Sequence, residues 1–324
     1  MPLKKIYILI LATLFALHSN AFSFTKKHTH FFDNAVKLQQ EGKYEEAIEN
    51  YKKSTKSNIK SAEAFNEIAV LLVELGKNAK ALEAYEQSLR IEPKASTYSN
   101  MGVLLSKLDL DSQAMENYNK ALKLDPKCPN ILFNKGLLLT KLGQLEEAIV
   151  YYNSSIKLGN LSQAHREKAT ALSRLGKHQE ALESYNNAIK INPYDSILYN
   201  NMSNTLSDIG RYHEAISSLD KAIKLQPNTH ISHYNKGLIL AKLSRHYDAI
   251  SEFNTTIQLK PSFAEAYIDK GNALHRLGKY PEAAYEYEQA LKIEPQNNRA
   301  YNNLKTSLNT IQQHSAPQQR YSYY

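Results

Sequence analysis

Small side chains return along this chain at intervals of 33 or 34 residues. Ala47, Ala81, Ala114, Ala148, Ala181, Ala215, Ala249 and Ala283 form one series. Seven residues after each comes a second small residue: Ser54, Ser88, Ala121, Ser155, Ala188, Ala222, Thr256 and Ala290. Twelve before each comes a third: Ala35, Ala69, Gly102, Gly136, Ala169, Ser203, Gly237 and Gly271. Four after each sits a large side chain, aromatic in seven of eight: Tyr51, Tyr85, Tyr118, Tyr152, Tyr185, Leu219, Phe253 and Tyr287. Spacings of four and seven fall on one face of an α-helix. Small residues on such a face let a second helix approach closely, with the aromatic filling the space beside them.

Each period predicts two helices. Glycine stops the first in six periods, at Gly42, Gly76, Gly143, Gly176, Gly210 and Gly278, where a left-handed turn suits a residue without Cβ. Proline stops the second at Pro93, Pro126, Pro193, Pro227, Pro261 and Pro295, because it cannot continue a helix. A lone helix pair cannot bury its apolar face, so the pairs must stack on their neighbours. The expected fold is all-α. Its repeats cover 28–61, 62–94, 95–128, 129–161, 162–195, 196–229, 230–263 and 264–297. A capping helix over 298–311 repeats only a first helix, with Asn302, Asn303, Lys305 and Ser307 read as facing solvent. The polar tail, 312–324, is expected to be disordered.

Tyr98, Met101, Gly102, Leu105, Ala114, Tyr118 and Pro126 follow a known spacing, as do Tyr267, Gly271, Leu274, Ala283, Tyr287 and Pro295. On these residues the chain resembles the tetratricopeptide repeat (TPR) family. Three departures stand out. The first repeat has Ile59 where the closing proline is usual, the fourth ends in Leu158-Gly159-Asn160, and the fifth has His165 and Lys168 at usually apolar positions. Packing around the fourth and fifth repeats is therefore expected to be looser. The resemblance implies a right-handed α-α superhelix of about eight helix-turn-helix repeats, a TPR solenoid, with the first helices lining its concave surface. Family members bind extended peptides or a partner's helix there, and the resemblance gives that class of function without the ligand.

Three columns of the first helices face the implied groove. Asn100, Asn134, Asn201, Asn235 and Asn303 form one, interrupted by Glu67, Glu167 and Asp269. In the family, asparagine here can grip a peptide backbone, since a carboxamide offers both donor and acceptor. It is also common in this column without a ligand. Val103, Phe133, Leu137, Tyr234 and Leu238 would supply apolar pockets. Val103 and Leu137 read more readily as packing between neighbouring helices, Phe133 and Tyr234 less so. Lys107, Lys141, Arg174, Lys242 and Arg276 form a basic edge broken by Glu74 and Asp208. They would attract acidic segments, or simply complement the helix dipole near its end. The lysine–asparagine–arginine set with which some TPR domains clamp a C-terminal carboxylate is not found on any three consecutive first helices.

Composition narrows the class. The chain of 324 residues is 42% hydrophobic and 22% charged, which is not a disordered composition. Its formal net charge is +8, or +6 with Lys4 and Lys5 discounted, compatible with an anionic partner without demanding one. Nucleic acid is not an expected partner. The start of the chain reads as a secretory signal over 1–21. Lys4 and Lys5 form its basic region, Ile6 to Leu17 its apolar core, and Ser19-Asn20-Ala21 its cleavage site. A periplasmic or secreted location follows, with an uncleaved anchor as the alternative. The single cysteine, Cys128, allows no internal disulfide and reads either as an unpaired loop thiol or as an intermolecular bridge.

No glycine-rich phosphate loop or serine-nucleophile turn is present in the sequence. His230 and His233 share a helical face without further ligands, so neither metal nor cofactor is expected, and His165 and His233 read as packing residues. The expected function is that of a non-enzymatic exported scaffold binding an extended peptide or partner segment in its groove. The alternatives are a factor that self-assembles through its end faces, and an accessory subunit recruiting substrates to an envelope- or glycan-modifying enzyme. Ala148→Leu should overpack its helix pair and lower the unfolding free energy by about 1–3 kcal/mol, measured by urea denaturation.

Overall fold

The computed structural model describes residues 30–56 and 61–315. The expected signal (1–21), Ile59 and the end of the tail lie outside them. The described residues form seventeen helices and no strand. The chain divides into two compact units between Gly159 and Asn160, within the Leu158-Gly159-Asn160 departure from the repeat.

The first unit contains α1 (30–40), α2 (Tyr44–Ser54), α3 (Ser61–Glu74), α4 (Asn78–Ile91), α5 (Ala95–Lys107), α6 (Asp111–Leu124), α7 (Pro129–Lys141) and α8 (Leu145–Gly159). The second contains α9 (Ser162–Arg174), α10 (His178–Ile191), α11 (Ser196–Asp208), α12 (Tyr212–Leu225), α13 (His230–Lys242), α14 (His246–Leu259), α15 (Ala264–Arg276), α16 (Tyr280–Ile293) and the capping helix α17 (Asn298–Ser315). In each unit consecutive helices pair, and each pair stacks on the next. First helices touch first helices: α3, α5 and α7 in one unit, and α9, α11, α13, α15 and α17 in the other.

The small columns make this stacking possible. All eight alanines of the leading series are completely buried. So are the large residues four positions on, from Tyr51 to Tyr287, each at most 2% exposed. In four pairs the aromatic of the second helix lies against a glycine of its own first helix. A Cβ added to Gly136 would lie 2.6 Å from the ring of Tyr152, and one on Gly237 or Gly271 equally close to Phe253 or Tyr287. Real Cβ atoms do not come so close, so glycine here is a packing requirement. The buried tyrosines also need partners for their hydroxyls. Tyr51 donates to Gln39 Oε1 (2.8 Å), Tyr287 donates to Asn272 Oδ1 (2.9 Å), and Tyr152 shares a bond with Thr140 (2.8 Å). The second small position, seven residues after the leading alanine, seals the other end of the pair. Ser88 and Ser155 donate to the backbone carbonyls of Ala62 (2.6 Å) and Pro129 (2.8 Å), so these buried hydroxyls are satisfied.

The turn inside each pair has one geometry throughout. The residue after the turn donates its N–H to the carbonyl five residues back, as in Lys77 to Leu72 (2.8 Å) or Leu110 to Leu105 (2.9 Å), which caps the first helix. The six expected glycines take φ between 70° and 78°. The two repeats without glycine keep the turn with Asp109 and Ser244, both at φ 59°. Asp109 is supported there by Lys141, whose Nζ lies 2.7 Å from its carboxylate.

The capping helix departs from expectation. It runs to Ser315, past the expected end at 311. Ser307 is completely buried, and Asn303 is half-buried and bonded to α15; of the four polar residues read as solvent-facing, only Asn302 and Lys305 are exposed. The outer face instead carries Tyr301 and Leu308, 58% and 43% exposed. They stand in phase with residues that other repeats cover with a second helix, and α17 has none among the described residues.

Two outcomes follow from this packing. Ser244→Gly should raise the unfolding free energy by about 0.5–1 kcal/mol in urea melts, relief of left-handed strain outweighing the entropy of glycine. Burial pushes the phenols of Tyr51, Tyr85, Tyr118 and Tyr185 up, and that of Tyr287 up to about 12. A folded pKa above the unfolded value leaves stability intact below about pH 10 and erodes it as pH climbs toward the folded values. Urea melts from pH 8 to 11.5 should therefore show a steep loss above about pH 10, and these rings should ionise only as the helices melt.

Candidate functional site

The first helices present one polar wall in each unit, and the asparagine column runs along it. Asn100 donates to Asn66 Oδ1 (3.3 Å), Asn134 to Ser99 Oγ (3.4 Å), Asn235 to Asn200 Oδ1 (3.1 Å) and Asn303 to Asn272 Oδ1 (2.8 Å). Each bond runs from one first helix to the first helix before it. The column therefore ties neighbouring repeats together, and each carboxamide keeps its second N–H and its oxygen for other partners. Asn201 is half-buried, with its backbone carbonyl accepting from Thr205 (3.5 Å).

In the second unit α11, α13 and α15 border a cleft of about 470 Å³. Its apolar lining is Leu238, Ile239 and Ala241 from α13, Phe253 from α14 and Ala273 from α15. One carboxamide enters from each first helix: Asn204, Asn235 and Asn272. They are not equivalent. Asn272 accepts from Tyr287 and Asn303 and donates to Asp269, so its hydrogen-bonding capacity is largely engaged. Asn204 is exposed and carries no internal hydrogen bond among the described residues, and Asn235 has one.

Asp208, Lys242 and Arg276 occupy one column at the ends of these three helices and line the same cleft. Lys242 Nζ donates to Ser207 Oγ (3.2 Å) and lies 5.8 Å from the centre of the Tyr212 ring. Asp208 and Arg276 are exposed and make no ion pair among the described residues. Asp269, also in the lining, accepts from Arg299 (2.9 Å), Tyr234 (2.7 Å) and Asn272 (3.0 Å), so its charge is largely compensated. A further cleft of about 450 Å³ lies in the first unit between α2, α3 and α4, its rim mixing Glu45, Glu49 and Glu83 with Lys52, Lys77 and Lys80.

Of the residues singled out from sequence, Asn235, Leu238, Lys242 and Arg276 meet in the second unit's cleft. Asn201, Asn303, Tyr234 and Arg174 belong to that unit but not to the lining, and Asn100, Asn134, Phe133, Lys107 and Lys141 belong to the first unit. The packing assignment of the apolar column is reversed. Val103 and Leu137 are exposed, at 46% and 37%. Phe133 packs against Tyr152 with ring centres 6.0 Å apart, while Tyr234 packs on Phe253 and Phe263 and donates to Asp269. The aromatics turn toward the second helix because a large flat ring fills that interface better than a branched aliphatic does. Lys141 is committed as well, its Nζ reaching Asp109 (2.7 Å), Asp111 (2.8 Å) and the carbonyl of Ser106 (2.6 Å). His233 is more than a packing residue, since Nδ1 lies 2.7 Å from Glu252. His165 is buried, and its pKa is pushed down by that burial. Asn204 and Asn272 went unrecognised in the sequence because they share a column with Leu238, which reads as apolar.

Models of the tetratricopeptide repeat match residues 32–96, 129–158, 162–195, 184–217 and 201–262, and a TPR repeat model matches 111–143 and 271–304. No curated protein matches the sequence. Among solved structures the chain is similar to the APC/C hetero-tetramer Cut9–Hcn1, with 18% identity and a TM-score of 0.62 over 82% of this chain and 52% of that one. It therefore spans about half the length of that relative. A tetratricopeptide repeat protein from Parabacteroides merdae gives 18% identity and a TM-score of 0.60 over 77% of this chain and 99% of that one. Yeast Tom70 gives 16% and 0.56 over 84% and 61%. At these identities the likeness is one of fold. No helix among the described residues is long and apolar enough to cross a membrane. The chain belongs to the tetratricopeptide repeat family, a fold of protein-interaction scaffolds that are generally not enzymes.

Proposed function

We propose that this chain is an exported, non-enzymatic scaffold that holds an extended peptide or partner segment against its first helices, in the cleft bordered by α11, α13 and α15. The carrying observation is the composition of that cleft. Apolar residues form its lining, and two carboxamides, Asn204 and Asn235, retain capacity to bond a peptide group. Such a site combines apolar burial with a few convergent polar groups, the usual make-up of a ligand pocket. Export rests on the basic-then-apolar start of the sequence, Lys4 to Ala21. A second reading, self-association, is favoured by the exposed Tyr301 and Leu308 on α17. Light scattering that shows mass growing with concentration, and losing that growth in Leu308→Asp, would support it.

The groove reading is tested by affinity capture from the native compartment followed by mass spectrometry and titration of the captured segment. Replacing Asn204 and Asn235 together by alanine should weaken binding by about tenfold or more, from two hydrogen bonds at roughly 0.5–1.5 kcal/mol each. Unchanged affinity with intact helix content would remove the reading.

A further inference from the structure

We infer that the α11–α13–α15 cleft selects a segment in which an apolar side chain stands beside a carboxylate, the carboxylate lying over α13 and α15. This rests on the groove reading and specifies its ligand. The argument comes from the charges that remain once internal pairs are removed. Asp269 is compensated by Arg299 and by the hydroxyl of Tyr234. Lys242 meets only the neutral Ser207 hydroxyl and the Tyr212 ring, and Arg276 meets no acid among the described residues. The cleft is thus left with two cations on α13 and α15 and one anion, Asp208, on α11.

That change of sign along the rim gives the ligand a direction. Neighbouring helices lie about 10 Å apart, a step of about three residues in an extended chain. An acid opposite Arg276 and Lys242 therefore leaves a site for a base near Asp208, about three to six residues away along the segment. Arg276 can receive a carboxylate through two parallel N–H bonds, which a lysine cannot do. Beside it, Leu238, Phe253 and Ala273 form an apolar lining that favours burying a neighbouring aliphatic or aromatic side chain. In the first unit the corresponding Lys141 is already held by Asp109 and Asp111.

The test screens the full chain against a library of random dodecamer peptides, half with amidated and half with free C-termini. Enriched peptides should carry an acid next to an apolar residue. Their affinity should fall about tenfold in Arg276→Glu and fall again with added salt, as for a steering charge pair. Asp208→Lys should abolish any preference for a base without removing the acid. Enrichment in both arms assigns the carboxylate to a side chain, and enrichment in the free-acid arm alone assigns it to a chain end. Asn204→Trp fills the cleft from an exposed position and separates the two readings. Peptides that are lost in Asn204→Trp but indifferent to Arg276→Glu overturn the charge inference and leave the groove standing. No enrichment, or binding untouched by Asn204→Trp in a folded protein, overturns both.

Discussion

An aromatic ring resting where a side chain is missing holds four of the helix pairs together. Tyr118, Tyr152, Phe253 and Tyr287 lie against Gly102, Gly136, Gly237 and Gly271 so closely that a Cβ on any of these glycines would stand within 3 Å of the ring. Dispersion between such surfaces is individually weak and collectively large. It recurs in each of these four pairs, and there it sets how near the first and second helices lie. The left-handed turn between them, the buried alanines and the sealing hydroxyls all conform to that distance. Asp109 and Ser244 accept the strained φ of the turn in the two repeats that lack glycine, which shows that the turn is imposed by the pair rather than by its own residue.

The fold was largely legible in the sequence because its determinants are local in spacing and chemically plain. A missing side chain, a ring and a proline each leave an unambiguous letter at a fixed interval. The capping helix was less so. Ser307 and Asn303 are polar, yet one is buried and the other is bonded into the array; polarity alone does not say which side of a terminal helix meets a neighbour. The site was harder still. Its residues come from three first helices, each about a repeat away in sequence, and from α14, and its character depends on which groups are already paired. Asn272 and Asn204 read alike as letters, but one is surrounded by Tyr287, Asn303 and Asp269 while the other is open. The reversal of Phe133 and Val103 has the same origin, since a helical phase with two possible neighbours leaves the orientation to shape.

Structure and recognition draw on the same residues here. The asparagine column links four first helices, α5, α7, α13 and α17, each to the one before it within its unit, and only capacity beyond those bonds is available to a ligand. The most open polar surface lies beside that column, at Asn204 and along the rim formed by Asp208, Lys242 and Arg276. A repeat array can vary such rims from unit to unit without disturbing its core, because the rim lies outside the small and aromatic columns. Specificity can then change through a few charges while the scaffold stays the same.

The central claim is that side-chain absence, not helix propensity, selects glycine in the first helices. Urea unfolding of Gly136→Val tests it directly, because the two explanations predict opposite signs. Propensity alone favours valine in a helix by a few tenths of a kcal/mol. The packing account predicts a loss of about 1–3 kcal/mol as the added methyls meet Tyr152, with little change for Leu137→Val at the exposed neighbouring position. A Gly136→Val chain as stable as the parent, or more so, would contradict it.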